Sequence, residues 1–179
     1  MSNTTYLKNG FDAVKTFMTI AGQTVNDKPS IPSEADMLLR LRLNIEENLE
    51  LTEAILGQSA SRLEPSSIEA IHHMREAVSC IDRMIKQCAD KPVFGIEPNM
   101  KEVLDALIDI EYVNIGAAIT FGFDLEEGFK RVHESNMSKF EDGKAIKNNA
   151  GKVIKGKYYQ PPVLDGLYEV INSNNKRGA

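Results

Sequence analysis

Residues Leu38–Leu56, LLRLRLNIEENLELTEAIL, decide how the rest of the chain is read. Leucine, arginine and glutamate dominate, and neither glycine nor proline interrupts the run, which predicts a long helix. At about 100° per residue, Glu46 and Glu50 fall on the line of Leu39 and Leu43, with Ala54 beside them and Glu47 and Glu53 flanking. A solvated helix keeps its acids opposite its leucines. Here the expected water-facing strip is Arg40, Asn44 and Asn48. Carboxylates set inside an apolar arc repel one another and lose hydration, which is costly unless cations collect them. The plain alternative is an acidic surface helix held by neighbouring arginines. Because apolar residues occur almost all round the helix, periodicity leaves both open.

Toward the N-terminus, Gly10–Gly22 shows a weaker helical pattern through Phe11, Val14, Phe17 or Met18, and Ile20, with Gly22 as its stop. A proline-bearing connection, Asn26–Pro32, follows. Ser33 with Asp36 resembles a capping box and opens the central helix, which is expected to end at Gly57. Beyond a loop to Pro65, Ser66 or Ser67 caps a third helix reaching about Asp90. It carries Ile68, Ile71, Met74 or Arg75, Val78, Ile81 and Ile85 at helical spacing. Lys91–Asn99, with Pro92, Gly95 and Pro98, breaks the pattern.

A fourth helix is predicted over Met100–Phe121, ending at Gly122, and Asp124 with Glu127 opens a fifth that reaches Ser135 or Phe140. Periodicity then gives way to a near-repeat, Gly143–Lys147 (GKAIK) and Gly151–Lys155 (GKVIK). With Asn148–Gly151 as the turn, a short β-hairpin is expected. A last short helix is expected over Val163–Ile171 and a frayed tail over Asn172–Ala179. The fold class is therefore all-α: one domain across residues 1–179, with a helical core over residues 10–140 and an irregular basic segment over 141–164.

The 179 residues suffice for one domain with a sizeable core. Hydrophobic content of 42% and charge of 26% are those of a soluble globular protein. The net charge of -5 argues against general nucleic-acid binding, although the C-terminal part is lysine-rich. No stretch has the length and apolarity of a membrane span or of a signal peptide's core, so neither a membrane partner nor export is expected. Cys80 and Cys88, two thiols within one helical pattern, lack metal-finger spacing. They read as reduced fillers of a cytoplasmic protein.

The fourth helix carries the second acidic group. Glu102, Asp105, Asp109 and Tyr112 share one face. Ala106, Gly116 and Ala117 lie beside them, small enough for another helix to approach closely. Leu104, Ile108, Ile115 and Ile119 form a separate apolar stripe. Glu102 alone reads as a helix-start acid favoured by the dipole, whereas Asp109, within ALIDIEYV, is expected to be buried. Two helices that each present carboxylates to a bundle interior make a hard-oxygen site, suited to magnesium or manganese rather than zinc. Magnesium keeps positions open for water and substrate phosphates, which points to phosphate chemistry.

These segments resemble a known family. Glu46-Glu47-Asn48-Leu49-Glu50 matches the EExxE motif of the MazG-like all-α nucleoside-triphosphate pyrophosphohydrolases. DALIDIEYVNIGAAITFGFD (Asp105–Asp124) looks like their second metal motif and the helix after it. VHESNMSKF (Val132–Phe140) and GKVIKGKYYQPPVL (Gly151–Leu164) are similar to the segment that closes the site in the phosphoribosyl-ATP pyrophosphohydrolase-like branch. The likeness runs from Gln23 to Leu164, apart from the region of the third helix.

The resemblance implies that Glu47 and Glu50 are metal ligands and that Glu46 is a ligand or a water-orienting base, with Glu46 and Glu47 as the catalytic pair. Asp109 matches the final aspartate of the second motif. The family's other acid falls on Ala106 here, so Asp105 is the substitute one turn before Asp109, and the number of ions stays open. Asn136 and Lys139 match an SNxxK pattern whose residues contact the substrate's sugar or phosphates.

The implied reaction is hydrolysis of a nucleoside triphosphate, NTP or dNTP, to monophosphate and pyrophosphate. The implied cofactor is Mg2+, with Mn2+ as a substitute, activating a water for attack at the α-phosphorus. Lysines of the tail would meet the charge developing on pyrophosphate: Lys139 first, then Lys144, Lys152, Lys155 and Lys157. Tyr158 or Tyr159 would stack on the base. The family likeness also implies a homodimer or homotetramer. Two rival readings stand beside it. A di-iron bundle needs two Glu-x-x-His pairs on separate helices, and this chain offers Glu69 with His72 alone. A non-enzymatic helical interaction module would leave the acids merely solvated.

Overall fold

The computed structural model describes residues 5–56, 65–88, 91–147 and 153–169. Among the described residues five helices follow one another: α1 Thr5–Ile20, α2 Glu34–Leu56, α3 Pro65–Gln87, α4 Met100–Phe121 and α5 Leu125–Met137. The all-α expectation is met. Residues 57–64, with the expected stop at Gly57, lie outside the described residues, as do the Asn148–Gly151 turn and the tail from residue 170. The chain divides into two compact units, Lys28–Met100 and Met1–Asp27 with Lys101–Ala179.

The Lys28–Met100 unit is an α2–α3 pair. Ser33 opens α2 as the capping pattern predicts: its hydroxyl accepts the Asp36 N–H at 3.1 Å and donates to the Asp36 carboxylate at 2.8 Å. Helix α3 begins at Pro65, earlier than the serines expected to cap it, because proline's fixed φ and missing N–H suit a first helical position. Its inward face is Ile71, Ile81 and Cys88 with partly buried Met84 and Ile85, whereas Ile68 stays exposed. Leu38 of α2 meets Ile81 and Cys88, and Ala35, Ile45 and Ile96 pack around them.

Glu34 joins the connection after α3 to the start of α2. Its buried carboxylate accepts N–H groups from Val93 at 2.8 Å, Phe94 at 3.1 Å and Ile96 at 2.9 Å. The breaker-rich link thus has its backbone donors satisfied by a helix-start acid. Those donors, Ile96 foremost, hold the Glu34 carboxyl below its ordinary pKa.

In the other unit α1 packs on α5. The shielded line of α1 runs through half-buried Gly10, Ala13 and Phe17 and leads to buried Ala21, just past the helix. Phe11 and Val14, expected on the apolar stripe, are instead exposed. The Phe129 ring of α5 lies against Gly10 and the Phe17 and Phe140 rings meet at 5.0 Å, so the face that packs is the one through Gly10 and Phe17. Helix α4 ends at Gly122 as predicted. Gly122 adopts φ 75°, its N–H bonds the Ile119 carbonyl, and the Phe123 N–H reaches back to Ala118, so the last carbonyls of α4 are paired. Asp124 then caps α5 by accepting the Glu127 N–H at 3.0 Å.

The basic segment forms isolated antiparallel bridges, Glu141 with Lys144 and Lys147 with Val153, rather than the strands of the expected hairpin. Residues 163–169 form turns where a last helix is expected, with Gly166 at φ 83° and the Leu167 N–H bonded to the Leu164 carbonyl. Among the described residues no single helix is long and apolar enough to cross a membrane.

Candidate functional site

The acids of α2 divide by face. Glu46 and Glu53 turn toward α3 and meet arginine. Arg42 donates to Glu46 on its own helix and, at 2.9 Å, to Asp82 on α3. Arg75 of α3 donates to Glu53 at 2.6 and 3.0 Å. Glu47 and Glu50 are exposed. The Arg42–Glu46 pair sits at helical i, i+4 spacing and could be read from sequence. Its third member could not: Asp82 is 40 residues from Arg42, and nothing in the local pattern names it. The asparagines of the expected water-facing strip bond along their own helix, Asn44 to the Arg40 carbonyl and Asn48 to the Asn44 carbonyl.

On α4, Asp105 and Asp109 are exposed, one turn apart. Exposure of Asp109 corrects the expectation that it is buried. Its apolar neighbours are exposed as well, Leu104 at 61%, Ile108 at 58% and Ile119 at 73%, and nothing lies within 4 Å of a Cβ built on Gly116. Among the described residues no three histidine, cysteine or acidic side chains come together closely enough to hold a metal ion. The four ligands expected from the sequence comprise two one-turn pairs, Glu47 with Glu50 on one unit and Asp105 with Asp109 on the other. All their donors are carboxylate oxygens, the chemistry that suits magnesium or manganese. Among the described residues Glu50, Asp105 and Asp109 form no ion pair, so their oxygens are not committed to a protein cation.

The residues expected to bind substrate are gathered at the end of α5 and the segment after it. Lys139 Nζ donates to Asn136 Oδ1 at 2.7 Å, linking the two residues of the SNxxK pattern. That bond orients the Asn136 amide and leaves its NH2 as the donor end. The backbone at Gly156 runs against the Lys139 carbonyl, bringing Lys155 and Lys157 to the same place. Lys155 Nζ lies 4.5 Å from the Tyr159 ring centroid and Lys157 Nζ 4.7 Å from that of Tyr158. Each ammonium thus covers one tyrosine face. Lys144 sits in the turn after Glu141, and Lys152 lies outside the described residues.

Sequence reasoning missed what holds this segment in place. Ser135 and Ser138 both engage Gln160, Arg131 donates to the Val163 and Asp165 carbonyls at 3.0 Å each, and Glu141 accepts the Lys157 N–H. The i, i+4, i+7 spacing of Arg131, Ser135 and Ser138 was a legible signal of one helix face, but the irregular segment it holds was not. The Glu69–His72 pair lies exposed on α3, where His72 faces Glu76 at 3.3 Å and His73 lies near both Glu69 and Glu76.

No curated protein and no solved structure matches the chain. The model of the family described as phosphoribosyl-ATP pyrophosphohydrolase does match, over residues 14–136. That span takes in all of α2, α3 and α4, including the third helix that motif reading left unaligned, and ends at Asn136, before the lysine-bearing segment. With both acidic helices inside the match, the chain belongs to the phosphoribosyl-ATP pyrophosphohydrolase family, within the MazG-like all-α superfamily of hydrolases that act on nucleotide pyrophosphate bonds.

Proposed function

We propose that the protein hydrolyses a nucleoside triphosphate, NTP or dNTP, to the monophosphate and pyrophosphate in a magnesium-dependent reaction. One observation supports this most: a family match that includes both acidic helices, in a chain whose Lys139 bonds Asn136 and whose backbone between Lys155 and Lys157 passes against the Lys139 carbonyl. Glu47 and Glu50 on α2 and Asp105 and Asp109 on α4 are the proposed ligands, and magnesium, when bound, would supply charge neutralisation on the triphosphate and a lowered pKa for water. Manganese has the same preference for oxygen and can substitute.

The chain's own residues account for the rest. Arg42 fixes the Glu46 carboxylate on the helix that also carries Glu47, and one of the two orients or deprotonates the attacking water. Attack at the α-phosphorus makes pyrophosphate the leaving group. Lys139, Lys155 and Lys157 receive the negative charge that develops there. The Asn136 amide donates to a sugar or phosphate oxygen, and Tyr158 offers its uncovered face to the base.

The exposed apolar residues of α4 support a homodimer or homotetramer, since a large exposed apolar face marks an interaction surface. The acidic net charge argues against a nucleic acid as the partner. Incubation with each common and modified (d)NTP plus magnesium, with products resolved chromatographically, tests the reading. Monophosphate with pyrophosphate is expected; diphosphate with orthophosphate would overturn it.

A further inference from the structure

The lysine-bearing segment is tied to the end of α5 at successive points. Ser135, buried at 7% exposure, donates its hydroxyl to the Gln160 carbonyl at 2.7 Å. Ser138 accepts the Gln160 N–H at 2.8 Å and donates to the Ser135 carbonyl at 2.7 Å. Two serine side chains therefore satisfy both backbone groups of one residue, as a neighbouring strand would. Glu141 Oε1 accepts the Lys157 N–H.

Between these points Gly156 passes so close that a Cβ there would lie 2.8 Å from Glu141 Cγ, 2.8 Å from the Lys139 carbonyl oxygen and 2.9 Å from Glu141 Oε1. One of those three neighbours is backbone and cannot swing aside. The residues on either side of this contact are Lys155 and Lys157. A flexible lysine pays rotamer entropy to meet a phosphate, and fixing the backbone beneath it lowers that cost.

We propose that Glu141 and the Ser135–Ser138 pair are positioning residues that hold Lys155 and Lys157 ready for the pyrophosphate half of the substrate. This rests on the pyrophosphohydrolase reading for its substrate, yet it concerns binding and can be tested without turnover. The Glu141 role is that of a neutral hydrogen-bond acceptor for a backbone N–H. Its charge, beside two lysines, is not what the segment needs.

The test is calorimetric binding of inorganic pyrophosphate with magnesium to the full chain, alongside circular dichroism to follow the helices. Glu141→Ala, Ser135→Ala with Ser138→Ala, and Gly156→Ala are each expected to weaken binding about tenfold or more with helix content unchanged. Glu141→Gln, which keeps the carbonyl acceptor and loses the charge, is expected to bind within about twofold of the natural chain. Steady-state kinetics should show the same order in kcat/KM for the triphosphate, with Glu141→Gln near the natural chain and Glu141→Ala below it.

Equal loss in Glu141→Gln and Glu141→Ala would overturn the acceptor role. Unchanged binding in both Glu141→Ala and Gly156→Ala would overturn the positioning role, as would a natural chain that binds no pyrophosphate at all. A natural chain that binds pyrophosphate yet hydrolyses no nucleotide would sink the reading of the reaction and leave the positioning role standing. Should Gly156→Ala lose helix content, the Glu141 pair of variants decides the matter alone.

Discussion

At the scale of single residues, charge partners sort the acids of α2 into two kinds. Glu46 is held by Arg42, which also reaches Asp82 on α3, and Glu53 is held by Arg75 of α3. Replacing Arg42 with Ala strands Asp82 and Glu46 without their shared cation. The expected cost is about 1.5–3 kcal/mol, the range for hydrogen bonds to charged groups, read as a lower urea midpoint with unchanged slope. Glu50 and Asp109 are a different matter, exposed and without an ion pair among the described residues. Glu50→Gln and Asp109→Asn are expected to lower turnover by about 10²–10³-fold, the usual effect of losing one electrostatic stabiliser of a transition state. Their melting temperatures should stay near that of the natural chain, because neither side chain is packed. Near-normal turnover at saturating magnesium in either variant would remove that residue from the proposed ligand set.

Among the elements, the start of α2 carries a pH dependence that can be worked out. Glu34 is depressed in the folded state by the Ile96, Phe94 and Val93 N–H groups, relative to the usual 4.5 for glutamate. Its contribution is therefore fully present above about pH 4.5 and fades as pH falls through the lower folded-state value. Glu34→Gln should melt below the natural chain at neutral pH, and the gap between the two should narrow on acidification. A gap that stays constant from pH 7 to pH 3 would mean that the carboxylate's charge is not what those N–H groups hold.

Helix ends were the most legible part of this architecture, since Ser33, Gly122 and Asp124 each act through a bond to their own neighbours in sequence. Which face of a helix is buried was less legible. In α1 the pattern named Phe11 and Val14, but the face that packs is the one through Gly10 and Phe17, whose partners Phe129 and Phe140 are distant in the chain. The tail was least legible, for its order comes from side chains on α5 rather than from any period of its own. Of the candidate site, the SNxxK pair was readable through its resemblance to the family's pattern, and its two members bond directly. Asp82 and Gln160 were not, because their partners are distant in sequence.

For the molecule as a whole, α4 sets two questions at once: what covers its apolar residues and what its aspartates serve. A second copy of the chain is the proposed cover, in keeping with the closed symmetry most assemblies adopt. Leu104→Glu combined with Ile108→Glu should shift sedimentation from dimer or tetramer to monomer, whereas a natural chain that already sediments as a monomer would refute the assembly. The central claim, however, is chemical: water attacks the α-phosphorus of a nucleoside triphosphate. Turnover in water enriched with oxygen-18, with the products separated and weighed by mass spectrometry, reports the attacked atom directly. The account predicts one heavy oxygen in the nucleoside monophosphate and none in pyrophosphate. Label in pyrophosphate, or in orthophosphate beside a diphosphate, would contradict it.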